Sequence, residues 1–186
     1  MIKTKELSFI ILVAMYTTSC MNQSIAINLD IPSQVSNLFE KRIFLRITPE
    51  FANFTYRHPH QQSLLVDIGT AQSFLFKKIT KKLFAHVRTD ELSHSYTPDI
   101  IITPKLTNIE LSKPSESGLT SYECRLKYMV LITTREHTIN HNILAYSRTP
   151  KLNKNENQVI SELLSQCIRK IASKLEIKLL KLANEV

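Results

Sequence analysis

Three cysteines and six histidines are the residues of this 186-residue chain best placed to do chemistry. Cys20 closes a short apolar run near the N-terminus, whereas Cys124 and Cys167 sit inside segments with regular apolar periodicity. Two thiols on the buried faces of a strand and a helix could meet as a disulfide closing a loop of about forty residues. Equally, each could be a small buried apolar side chain that never meets the other. The histidines form two close pairs, His58 with His60 and His137 with His141. A spacing of four chelates metal on a helix, but His137 to His141 falls in a predicted hairpin turn, so no metal site is expected. Lys77, Lys78, Lys81 and Lys82 form the one tight cationic cluster; it could hold an anionic group or be the solvated face of a helix.

Catalytic patterns are missing. The chain shows no Gly-rich phosphate loop, no G-x-S-x-G turn, no H-E-x-x-H and no C-x-x-C pair. We therefore expect no enzyme and no cofactor. Hydrophobic residues at 43 % and charged residues at 22 % match an ordinary globular domain.

The elements that position these residues begin after a segment of a different kind. Lys3 and Lys5 precede an apolar stretch from Leu7 to Tyr16, about ten residues against the ~20 a spanning helix needs. It ends in Thr17-Thr18-Ser19-Cys20, which resembles the lipobox of bacterial lipoproteins, with Thr17 standing where an aliphatic residue is usual. The resemblance implies a signal peptide over 1–19, cleavage before Cys20, and acylation (palmitate) of the Cys20 thiol. An ordinary signal peptide leaving Cys20 as a free or disulfide-forming thiol, or an uncleaved anchor, are the alternatives. Met21 rather than aspartate follows the cysteine, which in the logic of that family implies the outer membrane, periplasmic face. Without Lys3, Lys5 and Glu6 the net charge falls from +8 to +7; an exported basic protein meets anionic headgroups and acidic partners, not nucleic acid.

Residues 20–40 read as a lipidated tether holding an edge strand, with Ile25, Ile27, Leu29 and Ile31 alternating. Residues 41–186 read as a single α+β domain. Lys41 to Thr48 is a strand stopped by Pro49, and Phe51 to Gln62 is a loop or irregular edge whose aromatics cover the core. A helix follows Gly69-Thr70, with Ala71, Phe74, Leu75, Ile79 and Leu83 inward and the lysines outward. Phe84 to Arg88 begins another strand. Ile100 to Leu111 is extended but holds Pro104, which marks an edge or a bulge. Tyr122 to Ile132 and Thr138 to Arg148 form a hairpin, and a long helix begins near Asn157. The order β-α-β-β-β-β-α predicts a mostly antiparallel sheet with two helices packed on one face.

Asp67-Ile68-Gly69-Thr70-Ala71 opening a helix, Pro98-Asp99-Ile100-Ile101-Ile102-Thr103-Pro104 before the hairpin, and the Cys20 lipobox together resemble small envelope lipoproteins. That group includes the lipopolysaccharide-assembly lipoprotein and the auxiliary lipoproteins of envelope ABC transporters. The resemblance implies an accessory role in an envelope assembly, transport or secretion complex, with a protein partner and a membrane anchor. The alternative is a module that binds an anionic glycolipid or cell-wall polymer through its basic face.

Overall fold

A computed structural model describes residues 23–27, 29, 39–89, 96–117, 120–150 and 155–185. The hairpin is its spine: β7 (Ser121–Thr133) and β8 (Thr138–Pro150) pair antiparallel along their whole length. Their period-two pattern buries Tyr122, Cys124, Leu126, Tyr128, Val130 and Ile132 on one face and leaves Arg125 and Lys127 exposed on the other, as a half-buried sheet requires.

β6 (Ile100–Ser112) pairs antiparallel with β7. β2 (Phe39–Leu45) runs parallel to β6, and β5 (Phe84–Arg88) runs parallel to β2. The resulting five-stranded sheet has the order β5-β2-β6-β7-β8. It is mixed, which corrects the expected mostly antiparallel sheet. The reason lies in the chain order: α2 (Gly69–Leu83) intervenes between β2 and β5, and a strand that returns after a helical crossover runs parallel to the one it left.

A second, three-stranded sheet was not foreseen. β1 (Gln23–Ala26) lies parallel to β4 (Gln61–Asp67), which pairs antiparallel with β3 (Thr55–His58). β1 thus draws part of the 20–40 stretch into the folded body. Two short helices also add to the pair that was expected: α1 (Pro49–Ala52) and α3 (Pro114–Ser117), beside α2 and α4 (Glu156–Glu185). Among the described residues the order is therefore β-β-α repeated four times. α1 forms where a strand was expected to stop, because the Thr48 hydroxyl accepts the Phe51 N–H and Pro49 occupies the first turn.

The long helices pack on each other, α4 also against β7 and β8, and α2 against β2 and β5. Ile160, Leu163, Leu164, Cys167, Ile171, Leu175, Leu179 and Leu182 are buried along α4, the stripe its three-and-four spacing predicts. α2 departs from its predicted stripe at one position. Phe74 is 47 % exposed, and Phe76 is fully buried instead, because the inward face follows 72, 75, 76, 79 and 83. The Asp67 carboxylate accepts the Thr70 N–H and hydroxyl at the start of α2, where the helix dipole favours a negative charge. Across the entry to β6, Asp99 accepts from the Arg42 backbone N–H and from its guanidinium at 3.0 Å. These hydrogen bonds hold the Asp99 carboxyl below its ordinary value.

Candidate functional site

The sheet has one strand whose edge changes status along its length. β2 accompanies β6 only from Ile100 to Ile102, and the last link is the Arg46 N–H donating to the Ile102 carbonyl at 2.8 Å. Backbone groups of alternate residues point to the same edge, so Pro104 and Leu106 turn their backbones to the side that β2 has left. Pro104 fits there because it has no N–H to offer. Among the described residues no strand pairs with that edge beyond Ile102.

A pocket of about 420 Å³ opens beside this edge, lined by Thr103 to Leu106, by Phe51 and Phe54 from the α1 corner, and by Gln72 from α2. Behind Phe51 lies a buried aromatic cluster. Phe51 meets Phe76 edge-on at 5.5 Å between ring centroids, and Phe76 lies 5.8 Å from Tyr128. Gln72 is fully buried in this apolar setting, and its amide is satisfied on both sides. Its nitrogen donates to the Phe51 carbonyl, and its oxygen accepts the Tyr128 hydroxyl at 3.0 Å. Burial drives the Tyr128 phenol far above its ordinary value, so it remains a donor. Replacing Gln72 with leucine, which cannot satisfy either group, should cost about 1–3 kcal/mol. Chemical denaturation of Gln72→Leu would check this, and an unchanged midpoint would contradict the role given to the amide.

Further along β6 the edge is partly closed. His58 from β3 is fully buried; its Nε2 lies 3.1 Å from the Leu111 carbonyl and 3.3 Å from a Glu116 oxygen. Its Nδ1 accepts the His60 N–H, which assigns the ring proton to Nε2. The β8 edge of the sheet is partly covered. Lys170 and Lys174 of α4 donate to the Tyr146 and Leu144 carbonyls of β8, each at 2.6 Å.

The residues singled out in the sequence fall into distinct places. Cys20 lies outside the described residues. Cys124 and Cys167 are both buried and come together, the Cys167 thiol donating to the Cys124 carbonyl at 3.6 Å. The Cys124 thiol is raised strongly by its hydrogen bond to the Cys167 sulfur and by burial. Lys77 and Lys81 are exposed and Lys78 is partly so, with its ammonium 5.6 Å above the Phe74 ring. Lys82 is different, being paired with Glu176 of α4 at 2.7 Å. His137 lies in the hairpin turn and His141 within β8. Among the described residues no group of three or more histidine, cysteine or acidic side chains converges as a metal site. Among them, too, no helix is long and apolar enough to cross a membrane.

Sequence reasoning did not find the pocket. Phe51 and Phe54 were visible as aromatics over the core, but Gln72 carries no local signal, since its partner Tyr128 is 56 residues away.

No protein-family model matches the chain, and no curated protein matches its sequence. Several solved structures are similar in shape. A DUF330 protein of Xanthomonas campestris aligns with a TM-score of 0.52 and 8 % identity, over 83 % of this chain and 92 % of that one. A hypothetical protein of Chlamydia trachomatis gives 0.42 and 9 %, over 73 % and 96 %. A candidate lipoprotein of Caulobacter crescentus gives 0.37 and 9 %, over 61 % and 84 %. The first of these shows a shared α+β fold.

Proposed function

We propose that this chain is a lipid-anchored accessory protein of the bacterial envelope, held by acylated Cys20 at the periplasmic face of the outer membrane. Its folded body engages a protein of an assembly, transport or secretion complex. The observation that supports this reading most is the contrast between edges. The β8 edge carries two lysine caps, whereas β6 beyond Ile102 has no strand partner among the described residues and borders an apolar pocket, with buried Pro104 at its start. Exposed edges are usually blunted because they template pairing with another chain. Pro104 and the bulge after Leu106 blunt part of the β6 edge. The short stretch from Thr103 to Leu106 beside the pocket suits addition of a short strand, in which main-chain hydrogen bonds give affinity and a side chain in the pocket gives specificity.

Two measurements test the two halves. Labelling with a fatty-acid analogue should mark the wild-type chain and not Cys20→Ala; an unlabelled wild type would remove the anchor. A photoreactive residue at Lys105 should crosslink in intact cells to a single component of an envelope complex, identified by mass spectrometry, and Leu106→Asp should abolish the adduct. Crosslinks of the same pattern from Asn142 on β8, or none from Lys105, would sink the edge reading.

A further inference from the structure

We infer that the outer face of the α2–α4 layer seats on an anionic phospholipid bilayer. α2 carries Lys77, Lys78, Lys81 and Lys82 and no carboxylate. From residue 169 onward α4 adds Arg169, Lys178 and Lys181, together with Lys170 and Lys174, whose ammoniums also donate to β8 carbonyls; its carboxylates there are Glu176, paired to Lys82, and the terminal Glu185. The far side of the sheet is less biased: Glu110 pairs with Arg125 and Glu123 with Arg148, and only Lys105 and Lys127 stand exposed beside them on β6 and β7. The molecule's positive excess is therefore concentrated on its helical side.

Charge alone would fit any acidic partner, but two apolar side chains stand among these cations. Phe74 is 47 % and Ile177 56 % exposed, each on the outward face of its helix. Cations drawn to anionic headgroups, with isolated apolar tips at the acyl boundary, are the chemistry of an interfacial helix face. Lys78 lying over the Phe74 ring puts both functions at one spot. The position of β1 agrees. β1 starts at Gln23 and contacts α4, and the three residues back to Cys20 span at most ~10 Å. That last point rests on the proposed acylation; the charge and apolar arguments do not.

The chain contains no tryptophan, so Phe74→Trp or Ile177→Trp places a lone indole on the face. The full chain, purified from the cells that make it, is mixed with vesicles of phosphatidylcholine, or of phosphatidylcholine and phosphatidylglycerol in equal parts. With the anionic lipid, both indoles should shift to the blue and be quenched severalfold by brominated lipid, and high salt should reverse this. The triple change Lys77→Gln, Lys78→Gln and Lys81→Gln should weaken the effect severalfold with an unaltered melting temperature. An indole that stays water-like in both vesicles overturns the inference, as does equal quenching without anionic lipid. A shift that requires an added acidic protein would assign the face to such a partner instead. The mass of the N-terminal peptide reports acylation separately: a chain without lipid that still binds anionic vesicles would cost the anchor and keep the face.

Discussion

Gly69→Ala should destabilise the fold by about 3 kcal/mol or more. A methyl group there would lie 2.2 Å from the Ala52 carbonyl oxygen and 2.5 Å from the Phe54 nitrogen. Both obstacles are backbone, so no rotamer change relieves them. The backbone is also pinned, because the Gly69 and Ile68 N–H groups both donate to the Phe54 carbonyl, at 2.8 and 3.2 Å. Room for the methyl exists only if the α1 corner swings away from the start of α2, which would pull Phe51 off the Phe76 ring. Urea unfolding followed by circular dichroism should show the loss. A midpoint equal to wild type would mean that this close approach is not a fixed feature of the fold.

The second large effect concerns the thiol pair. We expect protein recovered without reductant from an oxidising compartment to carry a Cys124–Cys167 disulfide, and expect its removal to be strongly destabilising. The two thiols would pass two protons and two electrons to a disulfide-bearing oxidant. The reactive species is a thiolate; the pairing raises the Cys124 thiol and lowers the Cys167 thiol, but both are fully buried, so an external oxidant or reductant reaches them only before the core has closed. The bond should therefore form during folding and afterwards resist added reductant. With a sequence separation of 43 between the partners, the chain-entropy estimate gives roughly 4 kcal/mol as a ceiling. Alkylation without reduction, followed by mass spectrometry, decides it: a linked peptide pair is expected, and two alkylated thiols would show that the cysteines are only packing groups.

What could be read from the sequence follows from how far each signal reaches. The hairpin and α4 were legible because their periodicity persists over many residues, enough to fix both type and inward face. Pro104 was legible for a chemical reason, a missing N–H, and it sits where the sheet's edge begins. The parallel pairing of β2 was not visible in any local pattern, although the succession strand, helix, strand implies it. The small sheet was missed because β1 and β3 have four residues each, and the β1 partner lies some forty residues along the chain. Phe74 and Phe76 illustrate the limit within a helix. Two aromatics two residues apart cannot share a face, and the choice between them is made by Tyr128 and Phe51, which only the folded chain brings near.

The lysine caps on β8 bear on how many copies can join. Growth of a continuous sheet from molecule to molecule needs two receptive edges on every unit, one to add to and one to add with. Here two neighbouring carbonyls of the β8 edge, those of Tyr146 and Leu144, are already taken by Lys170 and Lys174. A strand accepted along β6 then cannot be continued through the Leu144–Tyr146 stretch of β8, and that route to an open-ended sheet is blocked.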